Sequence, residues 1–157
     1  MLNSWLHVLS LAVYLGSVLA FWLVLLPTVA TVEDHKDKAQ LLARGLKLYN
    51  PLQVGALGIL LFSGAFLLTD LKAAYRETFS QQLGYPLAIK LALAFLLVLF
   101  SVYQSMGIGH RFVKRHESGD RVTEQDLDTV FRRLNRANWL IVPCAILTLW
   151  FGLRLIR

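Results

Sequence analysis

The sequence predicts an all-α integral membrane protein: a four-helix bundle with short loops and an amphipathic cytoplasmic helix before the last span. The chain has 157 residues, of which 56% are hydrophobic and 17% charged, a balance outside the range of ordinary soluble domains. Four apolar stretches, at about 5–32, 51–69, 86–109 and 139–155, are each long enough to cross a hydrocarbon core of about 30 Å. None alternates apolar and polar residues with a period of two, so we expect helices in a single transmembrane domain over residues 1–157.

The first stretch carries polar residues on one side of the expected helix. At about 100° per residue they fall within an arc of about 80°. These residues are Asn3, His7, Ser10, Tyr14 and Ser17. Polar side chains at membrane depth usually face a cavity, a partner or a cofactor. No Lys or Arg precedes this stretch and its apolar run exceeds a usual signal-peptide core, so we expect it to remain as a helix of the mature protein.

The second stretch comes after a basic amphipathic segment, "DKAQLLARGLKLYN", which we place at the inner membrane interface. The third stretch has its own polar seam, within an arc of about 100°. The residues of this seam are Lys90, Ser101, Gln104 and Ser105. In an antiparallel bundle Lys90 and His7 begin at the same outer end and could meet, with Asp70 as a natural counter-ion. The simpler interpretations are that Lys90 reaches the headgroups, that His7 is an interfacial residue, and that the seam joins helices.

The fourth stretch comes after a cytoplasmic segment with a helix-start signal, "TEQD", in which Thr123 is the expected N-cap and Asp126 lies in the first turn. Apolar residues then recur at helical spacing, which predicts an amphipathic helix that continues into the fourth span. Cys144 is the only cysteine, so the sequence has no disulfide framework and no CxxC motif. We expect Cys144 to be a small packing residue.

Positive charge is concentrated in the two longer loops. Their basic residues are Lys36, Lys38, Arg44 and Lys47 in the first, and Arg111, Lys114, Arg115, Arg121, Arg132, Arg133 and Arg136 in the second. This asymmetry predicts a bacterial-type inner (plasma) membrane protein with both loops in the cytoplasm and both termini on the periplasmic side. Topology accounts for the net charge of +6, so we expect no nucleic-acid partner. The expected partners are the bilayer and either other membrane subunits or a second copy of the chain.

Enzyme motifs are missing from the sequence: it has no phosphate-binding glycine loop, nucleophile elbow or HExxH helix. We therefore assign no catalytic residue and leave open whether the chain is an enzyme. A porphyrin site needs an axial histidine, an apolar pocket and basic or hydroxyl partners, which His7, Lys90 and Tyr14 could supply. A copper path needs repeated Met, Cys or His ligands, but Met106 is the only methionine after Met1.

The stretch "LHVLSLAVYLGS" resembles the opening helix of the CopD-like and HemJ-like four-helix membrane proteins. That helix has Leu-His, six mostly apolar residues, an aromatic residue and then a glycine, and His7, Tyr14 and Gly16 occupy those positions. The stretches "RGLKLYNPLQVGALGILLFSGAFLL", "IKLALAFLLVLF" and "RRLNRANWLIVPCAILTLWFGL" are similar to their second, third and fourth helices. HemJ-like proteins are protoporphyrinogen oxidases that bind haem b, and CopD-like domains are associated with copper uptake. The resemblance implies haem-related roles for His7 and Lys90.

Together these observations predict an inner-membrane haem b protein involved in electron transfer, which could be a small subunit of a respiratory or redox complex. His7 would be the axial metal ligand. Lys90 would be either a second ligand, in its neutral form, or a partner of a haem propionate, and Tyr14 and Gln104 would line the cavity. Two alternatives remain: a cofactor-free accessory subunit that packs through Gly55, Gly58 and Gly64, and a CopD-type copper transport or resistance protein. If the chain is an enzyme, a protoporphyrinogen oxidase-like oxidoreductase is the candidate.

Overall fold

The computed structural model describes residues 2–75, 84–120 and 122–154. They form four long helices, which are α1 (Leu2–Ala30), α2 (His35–Tyr75), α3 (Gly84–Glu117) and α4 (Glu124–Arg154). Each helix is long and apolar enough to cross a membrane, and the described residues include no strand. The predicted all-α four-helix architecture is confirmed.

Helices α2 and α4 begin well before the apolar stretches that the sequence predicts. Residues 35–50 and 124–138, the two amphipathic segments, are continuous with the spans after them. Pro51 and Pro143 lie inside these helices without ending them. We call the end of the bundle that contains residues 31–34 and 118–120 the loop end, and the opposite end the termini end.

Both long helices at the loop end start with a side-chain cap. Asp34 Oδ1 accepts hydrogen bonds from the backbone N–H groups of Lys36 (2.8 Å) and Asp37 (3.0 Å) at the start of α2. At the start of α4, Thr123 Oγ1 accepts from the N–H of Asp126 (3.2 Å), and Asp126 Oδ2 accepts from the N–H of Thr123 (3.3 Å). The predicted N-cap is therefore present, as a reciprocal capping box with Asp in place of Glu.

The bundle is built from two antiparallel helix pairs. Helices α1 and α2 contact each other extensively, as do α3 and α4, whereas contacts between the two pairs are fewer. Two apolar clusters fill the core. The central cluster contains Tyr14, Val18, Ala56, Leu57, Leu60, Leu97, Ile141, Cys144 and Ala145. The loop-end cluster contains Phe21, Leu26, Val29, Ala39, Leu42, Ala43, Leu46, Ile108, Phe112, Val113, Leu127 and Leu134.

The loop-end cluster explains what the amphipathic segments do. Their apolar residues, such as Leu42, Leu46 and Leu134, are fully buried in this cluster. The segments therefore pack against the bundle through their apolar faces, and Arg44 and Arg132 on the other faces are exposed. Cys144 is buried, and its Sγ donates a hydrogen bond to the carbonyl of Leu93 on α3 (3.3 Å), in keeping with a packing role.

Within the described residues, α1 contains a π-helical segment at Phe21–Leu25 and α3 contains one at Tyr103–His110. A π-helical segment places extra residues in a turn, so side chains beyond it face a direction that a regular helix does not predict. Such segments are frequent at functional sites. In α3 the segment begins directly after Val102 and carries Gln104 and Ser105 into the core.

We expect Asp34→Ala to lower the melting temperature of the protein in detergent at pH 7, because it removes the cap of α2. The N–H groups of Asp37 and Lys36 hold the pKa of Asp34 below its ordinary value. A carboxylate with a depressed folded-state pKa stabilises the fold above its ordinary pKa and loses that effect as the pH falls through the folded-state value. The difference in melting temperature between wild type and variant should therefore shrink below about pH 4.

Asp37→Ala is the matched control, since it removes a neighbouring charge without removing the cap. Thermal unfolding measured by circular dichroism at pH 7 and at pH 3 makes the comparison. An equal loss in both variants, or a loss from Asp34→Ala that does not change with pH, would contradict the capping role.

Candidate functional site

The His7 side chain is held between α1 and α2 in one defined orientation. Its Nδ1 lies 3.1 Å from the carbonyl oxygen of Leu60 and 3.0 Å from Ser63 Oγ. A carbonyl oxygen can only accept, so Nδ1 carries the proton. Ser63 in turn donates to the carbonyl of Ile59 (2.8 Å), which leaves its oxygen free to accept from His7.

The other ring nitrogen of His7 is available. In a neutral imidazole whose Nδ1 is protonated, Nε2 carries the lone pair. No hydrogen-bond partner of Nε2 is present among residues 2–75, 84–120 and 122–154. His7 itself is half-buried, so this lone pair lies at the boundary between the bundle and its surroundings.

The Ser63-Gly64 pair creates the place for this imidazole. Ser63 supplies a buried hydroxyl. A Cβ at position 64 would lie 3.2 Å from His7 Cε1, closer than most side-chain contacts, so glycine gives the ring its room. Gly64 thus packs against the His7 ring of α1 within this chain.

Lys90 approaches the same region from α3. It is half-buried, and the end of its side chain lies over Gly152 on α4. A Cβ added at Gly152 would lie 3.4 Å from both Cε and Nζ of Lys90. Lys90 is also within electrostatic range of His7, as expected for two residues that begin at the same end. The described part of the chain gives Lys90 no carboxylate partner, and Asp70 is exposed. Within the described ranges, a cation and an imidazole therefore share the termini end without a counter-ion.

Tyr14 is fully buried and its hydroxyl is already used. The hydroxyl lies 2.5 Å from Ser101 Oγ, and Ser101 donates to the carbonyl of Leu97 (2.7 Å), so Tyr14 is the donor to Ser101. This hydrogen bond links α1 to α3 and hence one helix pair to the other. Tyr14 lies seven residues beyond His7, about 10 Å deeper along the helix axis.

Gln104 lies deeper again, in a layer of buried polar residues. It is 1% exposed, and neither Oε1 nor Nε2 has a hydrogen-bond partner among the described residues. It is one turn beyond Ser101, which places it about 15 Å along the bundle axis from the level of His7. His7 and Gln104 therefore belong to different regions, although the third-span seam puts Gln104 on the same face as Lys90.

We define the buried polar layer as the residues that separate the two apolar clusters along the helices. They are Ser17, Gln53, Gln104, Ser105 and Asn138. Gln53 Nε2 donates to the carbonyl of Ser17 (3.4 Å), and Asn138 Nδ2 donates to the carbonyl of Leu134 (2.9 Å). In the part of the chain that the structure describes, Ser105 Oγ and Asn138 Oδ1 have no hydrogen-bond partner. Every one of the four helices contributes to this layer.

Sequence reasoning missed Gln53 and Asn138 as members of this layer. The predicted stretches begin at 51 and 139, so Gln53 lies near the edge of one and Asn138 just outside the other. Because α2 and α4 start earlier than those stretches, both residues lie well inside their helices. In the sequence, the sign of both residues is an amide side chain that falls at the helical spacing of the apolar residues before it.

The structure offers no protein-only metal site in the part of the chain that it describes. No group of three His, Cys, Asp or Glu side chains comes together there. Met106, the second residue considered for copper, lies in the π-helical segment of α3 and is 61% exposed. It is far from His7 along the bundle.

Comparison with known proteins adds no assignment: no family model, curated protein or solved structure matches this chain. The likeness to CopD-like and HemJ-like proteins therefore stays an expectation from the residues quoted above.

We expect His7 to be a neutral imidazole with the proton on Nδ1 above pH 8, because the Leu60 carbonyl can only accept a hydrogen bond. Nuclear magnetic resonance of protein labelled with ¹⁵N-histidine should show a pyrrole-type signal at Nδ1 and a pyridine-type signal at Nε2. His7→Asn assigns both signals by removing them.

Ser63→Ala should leave this tautomer in place, since the Leu60 carbonyl remains. Gly64→Val should change the His7 signals, because the added side chain takes the space of the ring. A pyridine-type Nδ1 in the wild type would contradict the deduced orientation.

Proposed function

We propose that this chain is a membrane haem b protein that takes part in electron transfer, with His7 as an axial ligand. The observation that supports this best is the state of the His7 ring. Its Nδ1 is fixed by a backbone carbonyl, and its Nε2 lone pair has no partner among the described residues. Histidines that bind metals usually donate their other ring N–H to such an acceptor, which fixes the ring and raises the basicity of the ligand.

The residues fit a porphyrin better than a bare metal ion. A porphyrin supplies four nitrogen ligands of its own, so the protein needs only one or two axial ligands. One histidine with a free Nε2 meets that need. A bare copper or zinc ion needs several protein ligands, and the described residues bring no three candidate ligands together. Bound haem would supply reversible one-electron exchange at iron.

Lys90 is the second residue that would hold the haem. As an ammonium without a carboxylate partner in the described chain, it suits the negative charge of a haem propionate. In its neutral form the amine would be a second axial ligand. The apolar central cluster lies between His7 and the loop end and would limit the access of water from the bundle interior. Limited access of water would in turn change the redox potential of the haem.

The proposal assigns Tyr14 and Gln104 different roles from those of His7 and Lys90. Tyr14 would form the floor of the site, since its hydroxyl is held by Ser101 and its ring belongs to the central cluster. Gln104 would belong to the buried polar layer and would not touch the cofactor. With the basic loops in the cytoplasm, the haem would lie near the periplasmic face, within reach of a redox subunit on that side.

The test is a dithionite-reduced minus oxidised visible spectrum of the detergent-purified protein. We expect a b-type haem signal in the wild type and at least a roughly tenfold lower haem content in His7→Ala, because the axial ligand is lost. His110→Ala is the matched control, since His110 is exposed and lies toward the loop end. It should keep the full signal.

Two results would count against haem binding. One is a colourless wild-type protein, purified under conditions in which a control cytochrome keeps its haem. The other is equal haem content in wild type and His7→Ala, with circular dichroism showing that the variant is folded.

A second candidate function, an accessory subunit without a cofactor, is favoured by the outer face of α2. A Cβ at Gly55 or Gly58 would meet no atom within 4 Å, so both glycines face away from the bundle. Phe62, on the same face one turn beyond Gly58, is 72% exposed. Small residues on an exposed transmembrane face let another helix approach closely.

If this face holds a second copy of the chain, Gly58→Ile should reduce energy transfer between donor-labelled and acceptor-labelled copies in phosphatidylcholine vesicles. The added side chain would keep the two helices apart. Gly16→Ile is the matched control, because Gly16 is equally open but lies on α1. An equal change in both variants, or in neither, would argue against an α2 interface between copies.

A further inference from the structure

A cavity opens at the loop end between the second half of α3 and the start of α4. Its volume is about 290 Å³. Among the residues that the structure describes, three arginines line it: Arg111 and Arg115 from α3 and Arg133 from α4. The cavity is distant from His7, which lies toward the opposite end of the bundle.

The charges at this cavity do not balance. Arg115 is paired with Asp126, with 3.5 Å between Nη2 and Oδ2. Asp126 is the only acidic residue in the lining. Arg111 and Arg133 have no carboxylate partner in the part of the chain that the structure describes. Two guanidinium groups that stay charged at every physiological pH therefore face the cavity without counter-ions.

The wall of the cavity changes from apolar to charged along α3. Gly107 and Ile108 lie nearer the membrane centre, and Arg111 and Arg115 lie one and two turns further toward the loop end. The distance from Gly107 to Arg115 along the axis is about 12 Å. On α4, which runs away from the loop end, Val130 lies one turn beyond Asp126 and Arg133 about two turns beyond it. A ligand that fits this wall carries both negative charge and hydrocarbon.

We infer that this cavity binds an anionic phospholipid, with the phosphate between Arg111 and Arg133 and an acyl chain along Gly107 and Ile108. Guanidinium groups bind phosphate oxygens in a planar, two-pronged geometry. Basic pockets between transmembrane helices at the cytoplasmic side hold anionic headgroups in other membrane proteins. Inorganic phosphate offers the same charge, but it would leave the apolar wall uncovered. This inference does not depend on haem binding.

The test compares lipid binding by native mass spectrometry in detergent, with phosphatidylglycerol, phosphatidylcholine and inorganic phosphate as separate ligands. The wild type should bind one phosphatidylglycerol more tightly than any phosphatidylcholine. The double variant Arg111→Gln/Arg133→Gln should bind that lipid roughly tenfold more weakly. Arg132→Gln/Arg136→Gln removes the same charge from exposed positions of α4 outside the cavity and should change the affinity little.

Val130→Trp is a second variant, which fills part of the cavity between the two helices and leaves the arginines in place. It should weaken the binding of phosphatidylglycerol. Its melting temperature should fall by no more than that of the arginine double variants. Three results would overturn the inference. They are equal binding of the two lipids by the wild type, an equal loss in both double variants, and inorganic phosphate that binds as tightly as the lipid.

Discussion

The hydrogen bond between Tyr14 and Ser101 is the contact on which the arrangement of the bundle depends. Each helix pair packs closely within itself and makes fewer contacts with the other pair, and this hydrogen bond joins the two pairs inside the buried core. No water is present in the hydrocarbon core to replace it. The bond fixes the depth of α1 against α3, which brings His7 and Lys90 to the same end and puts Ser17 and Gln104 at the same level.

Much of the fold and part of the site can be predicted from the sequence. Apolar length predicts the four helices, the "TEQD" signal predicts the cap of α4, and helical spacing predicts that His7 faces the bundle. Hydropathy cannot distinguish an amphipathic helix on a lipid surface from one that packs on a protein partner, so it does not show that Leu42 and Leu134 belong to the core. The position of a residue around the helix axis also does not show how far along the bundle it lies. In addition, the π-helical segment of α3 changes the direction in which later side chains face. The polar seam therefore groups Gln104 with Lys90, although the two residues lie far apart along the bundle.

The two ends of the molecule have different chemistry for a physical reason. At the termini end, the imidazole of His7 and the side chain of Lys90 are half-buried, next to the apolar central cluster. At the loop end, arginines lie where headgroups are expected, and their long side chains reach the interface while their stems cover apolar residues. Glu117 pairs with Lys47 across the helix pairs at this end, which adds a polar link at the surface.

The buried polar layer has a consequence for proton leakage. Its unpaired amide and hydroxyl atoms offer the polar partners that an internal water molecule requires. A continuous file of such groups would conduct protons across a membrane and discharge its potential. Here the central cluster lies on one side of the layer and the loop-end cluster on the other, both filled with apolar side chains. The two clusters therefore separate the layer from the two ends of the bundle and oppose the formation of such a file.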